Sequence, residues 1–388
     1  MQTMERPTTT NDADYRHASA GADGSDGYRG DGATASSGLS ERLFAILAGG
    51  VAATNGEDLD DVAVAALATT VGDAIRVVAA EARAANGGGE DAVVAADSLA
   101  DALLSDFQTR RAAASANGGV VGVRTGLGHL DETLNGLEPG KLYFLSATPG
   151  CGKTTLALQW AATVARDGRD ALYVSLENDA LDLARKTACR LGHVSYADAL
   201  KGKMRAEDWA YAVGALRELQ GRLHLYAPRT VMPDLDTLID GVRRDTGHAP
   251  ALLVVDYLQA FAKRAAGGDD GAELRERIDR LTPQLRALGE RHGCAVLAIS
   301  SQNRAGYKEG GMAAMKESGD LEYNADAILT LAQLEKKELE EWNKENPRAK
   351  GGIVPLKLTI DKNRQGMTGR PIHLLLNGDQ CLLAEEIR

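Results

Sequence analysis

Short apolar runs alternate with helix-spaced apolar residues along the chain from Val121 onward. The runs predict strands at Leu142–Ser146, Ala171–Ser175, Leu223–Tyr226, Leu252–Asp256, Cys294–Ser300 and Ile328–Leu331. The intervening patterns predict helices at Lys153–Arg166, Ala180–Leu191, Ala206–Leu219, Pro233–Thr246 and Ala272–His292. An antiparallel C-terminal hairpin is predicted from Leu356–Asp361 to Ile372–Leu376, around a turn at Gln365–Gly369. This alternation predicts an α/β fold with a mostly parallel sheet and helices on both faces.

The chain before this pattern divides into two parts. Residues 1–38 are rich in Gly, Ser, Thr, Asp and Ala, which predicts a disordered tail because little apolar surface can be buried. Residues 39–118 are predicted to form a small all-α segment. Its last helix covers Asp91–Arg111 and has an apolar face of Leu99, Leu103 and Phe107. This apolar face could pack within a local helical bundle, or it could belong to an arm that docks on another part of the protein. Residues 119–388 are predicted to form the α/β domain.

Charge is distributed as unevenly as composition. The 388-residue chain carries 44 Lys and Arg against 55 Asp and Glu, a formal net charge of −11. Residues 1–120 contain 8 Arg, no Lys and 18 acidic residues, so a net −10 lies there and the remainder is close to neutral at −1. An acidic total usually disfavours nucleic acid. Because the acidity belongs to the N-terminal third, it does not exclude nucleic-acid binding by the α/β domain.

The cysteines and the hydropathy pattern exclude two classes of protein. Cys151, Cys189, Cys294 and Cys381 form no CxxC pair and no zinc spacing, which argues against a disulfide scaffold or a zinc knuckle. Their usage fits a reducing, cytoplasmic compartment. No run approaches the ~18 uninterrupted apolar residues of a membrane span, so no membrane partner is expected.

A glycine-rich loop follows the strand predicted at Leu142–Ser146. It has the Walker A form, with Ala147 in the position usually held by the first glycine. Glycines let backbone N–H groups point at phosphate oxygens, and the next helix adds its positive N-terminal end. Lys153 is expected to reach the β- and γ-phosphates, and the Thr154 hydroxyl to bind Mg²⁺. The predicted nucleotide-binding residues are Thr148, Pro149, Gly150, Cys151, Gly152, Lys153, Thr154 and Thr155.

Two acidic residues follow other strands of the same predicted sheet. Asp256 ends the apolar strand Leu252–Asp256 in the Walker B form, which predicts a carboxylate in the Mg²⁺ shell. Glu177 follows Ala171–Ser175, and the carboxyl ends of parallel strands face the ligand crevice. A carboxylate there can orient and deprotonate an attacking water. The alternative for Glu177 is an acid near a helix N-terminus, favoured by the helix dipole.

Six segments over about Val121–Leu383 make the chain resemble the RecA-like P-loop ATPase domain of the DnaB-type replicative helicases of superfamily 4. They are the lead-in Thr125-Gly126, Leu130-Asp131 and 136–140; the Walker A loop 147–155; Ser175-Leu176-Glu177; Asp256-Tyr257-Leu258-Gln259; Lys316-Glu317-Ser318-Gly319 with Glu322 and Ala325-Asp326; and Lys362-Asn363-Arg364-Gln365-Gly366 with Thr368-Gly369. Recombinases of the RecA or RadA type would share the Walker motifs but not the last three segments.

The resemblance implies an ATP-hydrolysing DNA helicase that uses ATP and Mg²⁺ and acts as a homo-oligomer, usually a hexameric ring. ATP would lie between subunits, with Arg364 of one subunit inserted as an arginine finger toward the γ-phosphate of its neighbour and Lys362 alongside. The expected partners are single-stranded DNA and a primase or loader. One alternative is a RecA/RadA- or KaiC-like ATPase that remodels nucleic acid or protein without unwinding. Another is a loading partner that hydrolyses ATP slowly.

Three further expectations follow from the resemblance. The family has a γ-phosphate-sensing Gln after its fourth strand, and either Ser301 or Gln302 takes that place here. The loop 305–315 would face the ring channel and bind DNA, and a plain surface loop is the alternative. Its candidate DNA-binding residues are Lys308, Gly310 and Gly311. The helix predicted at Asp91–Arg111 would be the linker helix that docks on the adjacent ATPase domain.

Overall fold

A computed structural model describes residues 96–228, 234–265, 274–301, 323–346 and 352–386 of the chain. The predicted tail 1–38, the all-α segment before residue 96, the Lys316–Glu322 motif, and Gln302, Lys308, Gly310 and Gly311 lie outside these ranges. Contacts divide the chain into two units, Met1–Ser98 and Leu99–Arg388. The fold described below is that of the second unit.

The described strands form one nine-stranded sheet. They are β1 (Leu142–Ala147), β2 (Ala171–Ser175), β3 (Leu223–Tyr226), β4 (Leu252–Asp256), β5 (Ala295–Ser301), β6 (Ala327–Gln333), β7 (Ile353–Asn363), β8 (Ile372–Asn377) and β9 (Leu382–Glu385). Their order across the sheet is β3-β2-β4-β5-β1-β6-β7-β8-β9. Strands β1 to β6 are parallel, and β7, β8 and β9 extend the sheet in antiparallel fashion. The predicted fold class, including the C-terminal hairpin, is therefore confirmed.

Two of the described helices precede β1, and the others lie in connections between strands. They are α1 (Ala100–Ala116, after a 3-10 turn at Ala96–Leu99), α2 (Gly128–Leu134), α3 (Lys153–Arg166), α4 (Ala180–Gly192), α5 (Tyr196–Lys201), α6 (Ala206–Arg217), α7 (Leu235–Thr246), α8 (Leu258–Ala265), α9 (Leu274–His292) and α10 (Lys336–Glu345). Helix α3 begins and ends at the predicted residues, and α9 continues on both sides of Pro283. Within the described ranges, no helix has the length and apolar character needed to cross a membrane.

Two apolar cores lie on opposite faces of the sheet. Successive residues of a strand point to opposite faces. In β1, Tyr143 and Leu145 pack in one core and Leu142 and Phe144 in the other. The first core includes the fully buried Trp160 of α3, and the second is covered by α7, α8 and α9. Helices therefore cover both faces, and several of the predicted nucleotide-binding residues lie at the ends of well-packed strands.

The differences from the sequence prediction lie in weak patterns. The four-residue strand β9 and the short helices α2, α5, α8 and α10 were not predicted, because each holds only about two large apolar residues, too few to show a period. Helix α1 ends at Ala116 rather than Arg111, since the alanines that follow Arg111 favour helix. Its apolar stripe is exposed to solvent, with Leu103, Leu104 and Phe107 at 66%, 63% and 63% exposure.

Candidate nucleotide-binding site

The Walker A loop begins where β1 leaves the sheet. Ala147 ends β1 and is fully buried between β5 and β6, so a small side chain fits the position usually held by glycine. Gly150 and Gly152 have φ values of +86° and +83°, in the left-handed region that favours glycine. Gly152 leads directly into α3, whose first N–H groups have no intrahelical partner. The loop and the helix N-terminus together have the backbone geometry that an anion site requires.

The Lys153 ammonium folds over this loop. Its Nζ donates to the carbonyl oxygens of Ala147 at 2.9 Å and Thr148 at 3.1 Å. Burial lowers the pKa of Lys153, and the nearby negative groups, among them Asp256 and Glu177, oppose that shift. An anion in the loop would give the ammonium a stronger partner than two neutral carbonyls.

The remaining predicted loop residues differ in exposure. Pro149 is exposed, whereas Thr148 and Thr155 are half-buried. Cys151 is only 1% exposed, belongs to the first core, and has its Sγ 2.9 Å from the Thr148 hydroxyl oxygen. The Cys151 side chain therefore packs beneath the loop and supports its shape.

A hydroxyl and a carboxylate meet beside the loop. The Thr154 hydroxyl donates to Oδ2 of Asp256 at 3.1 Å, and the Tyr173 hydroxyl donates to the same oxygen at 2.7 Å. Oxygen donors of this kind are the ligands that Mg²⁺ prefers, so Thr154 and Asp256 fit the predicted ion. Sequence reasoning missed Tyr173. The available signal was a tyrosine inside an otherwise apolar strand, since a buried tyrosine hydroxyl usually finds a polar partner.

Burial makes the ionised form of Asp256 unfavourable in the folded protein. It is 1% exposed, and burial raises its pKa while the bonds from Tyr173 and Thr154 lower it. Because the pKa of Asp256 is raised in the folded state, protonation of this carboxyl favours folding at low pH. This contribution to stability is fully present below the pKa of the unfolded state and is lost as the pH rises through the pKa of the folded state.

We therefore expect Asp256→Asn to raise the melting temperature of the nucleotide-free protein by a few degrees at neutral pH. The neutral amide avoids the desolvation of a charge, and its oxygen can still accept both hydrogen bonds. The same change should abolish the extra stabilisation that Mg²⁺ gives to bound nucleotide. Thermal unfolding with and without nucleotide and Mg²⁺ measures both effects, and a lowered melting temperature without nucleotide would contradict this interpretation.

Glu177 lies next to the Asp256 strand. The Ser175 hydroxyl accepts hydrogen bonds from the backbone N–H groups of Glu177 at 3.3 Å and Asn178 at 3.0 Å, forming a turn at the end of β2. Ser175 pairs with Asp256 across β2 and β4. The N-cap of α4 is Asp179, whose carboxylate accepts from a backbone N–H at 2.8 Å. The capping task is thus filled by another residue, which leaves the Glu177 carboxylate available to the nucleotide site.

Gln259 of the Asp-Tyr-Leu-Gln segment fixes the end of β5. Its side-chain amide donates to Ser300 Oγ at 2.9 Å and to the Ser301 carbonyl at 3.1 Å, and accepts from the Ser301 N–H at 3.2 Å. The segment that leads to Gln302 is therefore held from α8. Sequence reasoning did not assign this role to Gln259, because the contact joins residues about 40 positions apart.

Arg364 lies near the start of the parallel strands, at the opposite end of the sheet from the Walker A loop. It follows Asn363, which pairs with Ala327, and Ala327 pairs with Tyr143 near the start of β1. The four residue steps from Tyr143 to Ala147 alone span about 13 Å. Lys362 precedes this position on β7 and pairs with β6. The structure brings the Walker A residues, Asp256 and Glu177 together, but not Arg364 or Lys362 of the same chain.

The comparisons with known proteins agree with the fold and the motifs. The model of the DnaB-like helicase C terminal domain matches residues 122–380. The chain is 25% identical over 278 residues to the replicative DNA helicase DnaB of Leifsonia xyli subsp. xyli, covering 70% of this chain and 57% of that protein. For DnaB of Haemophilus influenzae, the identity is 29% over 270 residues, with 67% and 54% coverage. The chain spans little more than half the length of these curated relatives.

Two solved structures share the fold. One, an ATPase domain, has a TM-score of 0.60 at 19% identity, covering 74% of this chain and 99% of that one. A DnaB-like replicative helicase, described with its interactions with primase, has a TM-score of 0.58 at 17% identity, covering 90% and 77%. At these identities the likeness concerns the fold alone. Because the family model spans most of the chain and the Walker A and B residues converge as described, the chain belongs to the DnaB-like helicase C-terminal domain family.

Proposed function

We propose that this chain is the motor of a ring-shaped DNA helicase, which translocates on single-stranded DNA, unwinds duplex and hydrolyses ATP between subunits. The observation that carries the proposal is the separation of Arg364 from the Walker A loop of its own chain across the sheet. A subunit of this kind needs the arginine of a neighbour to complete its nucleotide site. A closed ring lets every subunit give and receive that arginine. The family resemblance leads us to expect a hexamer.

Each side chain of the nucleotide site has one task in this proposal. Lys153 binds the β- and γ-phosphates of ATP. Thr154 and Asp256 hold Mg²⁺, which when bound neutralises charge on the phosphate oxygens. Glu177 orients the attacking water and accepts its proton.

The rest of the catalytic set comes from other parts of the ring. Arg364 of the partner subunit, with Lys362 alongside, stabilises the charge that builds on the transferred phosphoryl group. Gln302 or Ser301 senses the γ-phosphate at the end of β5. The hydrogen bonds from Gln259 to Ser300 and Ser301 hold the end of β5, which supports a sensor at this place.

The surroundings of the motor suggest how it meets its partners. Lys308, Gly310 and Gly311 would bind the DNA backbone in the channel through cations and main-chain amides. The exposed apolar stripe of α1 supports a linker helix that docks on the adjacent ATPase domain, where it would lose its contact with water. One structural neighbour is described in contact with primase, and we propose a primase or loader as a partner here too. The protein would work in the cytoplasm.

The test is ATP hydrolysis with and without single-stranded DNA, for the wild type beside Lys153→Ala, together with the particle mass with and without ATP. We expect an oligomer and a rate that DNA raises several-fold, and loss of hydrolysis in the variant because the phosphates lose their ammonium partner. Hydrolysis that DNA does not change would instead favour a slow ATPase that acts as a scaffold.

A further inference from the structure

A buried carboxylate lies beside the proposed arginine finger. Asp326 is 3% exposed and precedes β6. Its Oδ2 accepts a hydrogen bond from the backbone N–H of Leu142 at 3.0 Å and one from Arg286 Nη1 at 3.1 Å. Leu142 is the first residue of β1, so Asp326 is joined to the strand that carries the Walker A loop at its other end.

The second carboxylate oxygen of Asp326 faces the finger. Within the described ranges, Oδ1 accepts no hydrogen bond, and two cations lie near it: Lys141 Nζ and Arg364 Nη1, each at 3.9 Å. The backbone N–H of Arg364 also donates to the Asp326 carbonyl at 2.7 Å. A buried carboxylate requires compensation by nearby charge, and these two cations supply it on the side of Oδ1.

The Arg364 side chain is held and yet reaches the surface. Its Nη2 donates to the Tyr323 carbonyl at 2.7 Å, and the side chain is 46% exposed. A guanidinium carries five N–H donors in a rigid fork, so donors remain for an oxyanion outside the subunit. Stabilisation of a transition state requires such donors to be in place before the charge develops.

We infer that Asp326 is a positioning residue for Arg364, which holds the guanidinium at the subunit edge and links it to the start of β1. This inference rests on the proposed function, in which Arg364 acts on the nucleotide of a neighbouring subunit. Through Leu142, Asp326 connects the finger that serves the neighbour's site to the strand that forms the subunit's own site. Oδ2 binds Leu142 and Arg286 within the fold, and Oδ1 attracts the guanidinium of Arg364.

The decisive experiment mixes subunits. Asp326→Asn keeps the size of the side chain and an oxygen acceptor but removes the charge. We expect it to lower kcat for ATP hydrolysis by ~10- to 100-fold, since small misplacement of a catalytic group costs rates of this order. The affinity of a fluorescent ATP analogue for the Walker A loop should stay within about twofold. Mixed with Lys153→Ala, the variant should regain activity, because the Lys153→Ala neighbour supplies an intact finger to an intact loop.

Two further variants serve as controls for this experiment. Lys141→Met removes a cation at the same 3.9 Å distance from Oδ1 and should leave kcat within about threefold of the wild type. Asp326→Glu keeps the negative charge that pairs with Arg286 but moves it by one methylene group. It is used in place of Asp326→Asn if Asp326→Asn has a lower melting temperature than the wild type. It should also lower kcat and regain activity in the mixture.

The reference mixture is Arg364→Ala with Lys153→Ala. If this mixture regains activity and the Asp326 mixtures do not, although mixed rings form, Asp326 acts on its own subunit and the inference is wrong. If the reference mixture fails as well, the action of Arg364 on a neighbour is wrong, and the inference falls with it. Activity regained in both mixtures supports the positioning role.

Discussion

Replacing Arg364 with alanine should slow ATP hydrolysis by about 10³–10⁵-fold. In the proposed mechanism, the guanidinium offsets negative charge that grows on the transferred phosphoryl group, and water cannot supply a charge that is fixed in place beforehand. Nucleotide binding should persist, because Lys153 and the Walker A loop lie at the other end of the parallel strands. The steady-state rate and the affinity for a fluorescent ATP analogue measure the two effects.

A second arginine of the same turn supplies the matched control. Arg370 is exposed and lies in the connection between β7 and β8, six residues after Arg364. Arg370→Ala removes the same charge and should leave the rate within about threefold of the wild type. Equal losses in the two variants would show that general charge near the hairpin matters, and would remove the specific role of Arg364.

Glu177→Gln should lower kcat by about 10²–10⁴-fold, because the amide cannot accept the proton of the attacking water. The substitution keeps the size of the side chain, and the turn formed by the Ser175 hydroxyl involves backbone N–H groups that the change leaves intact. The variant should therefore bind ATP and assemble while hydrolysing slowly. Single-turnover hydrolysis separates the chemical step from product release.

The neighbouring Asp179 makes the control for Glu177. Its carboxylate caps α4 by accepting from the backbone N–H of Asp182, and asparagine caps helices as well as aspartate does. Asp179→Asn should therefore leave kcat within about threefold. If Glu177→Gln retained a comparable rate, another group would be the general base and the assignment of Glu177 would be wrong.

Sequence reasoning reached the strands β1 to β6 because each contains a short, mostly apolar run that interrupts the helical patterns. It reached Lys153, Thr154 and Asp256 because phosphate and Mg²⁺ chemistry needs these residue types at the ends of strands. It missed Tyr173, since a tyrosine in an apolar strand usually contributes packing. It also missed the contact of Asp326 with Leu142, which joins residues 184 positions apart.

Such contacts depend on which strands become neighbours in the sheet. β6 lies beside β1 although much of the domain separates them along the chain. This arrangement brings Asp326 to the start of β1 and places Arg364 far from the Walker A loop of its own chain. A local pattern carries no record of strand order, so the separation that supports action on a neighbour had to come from the structure.

The helicase proposal is tested most directly by ATP-dependent strand displacement on a forked DNA duplex, with the wild type beside Lys153→Ala. We predict that the wild type displaces the strand only when ATP and Mg²⁺ are present, and that Lys153→Ala displaces none. DNA-stimulated ATP hydrolysis without strand displacement would contradict the helicase proposal, and would point to an ATPase that remodels nucleic acid or protein without unwinding.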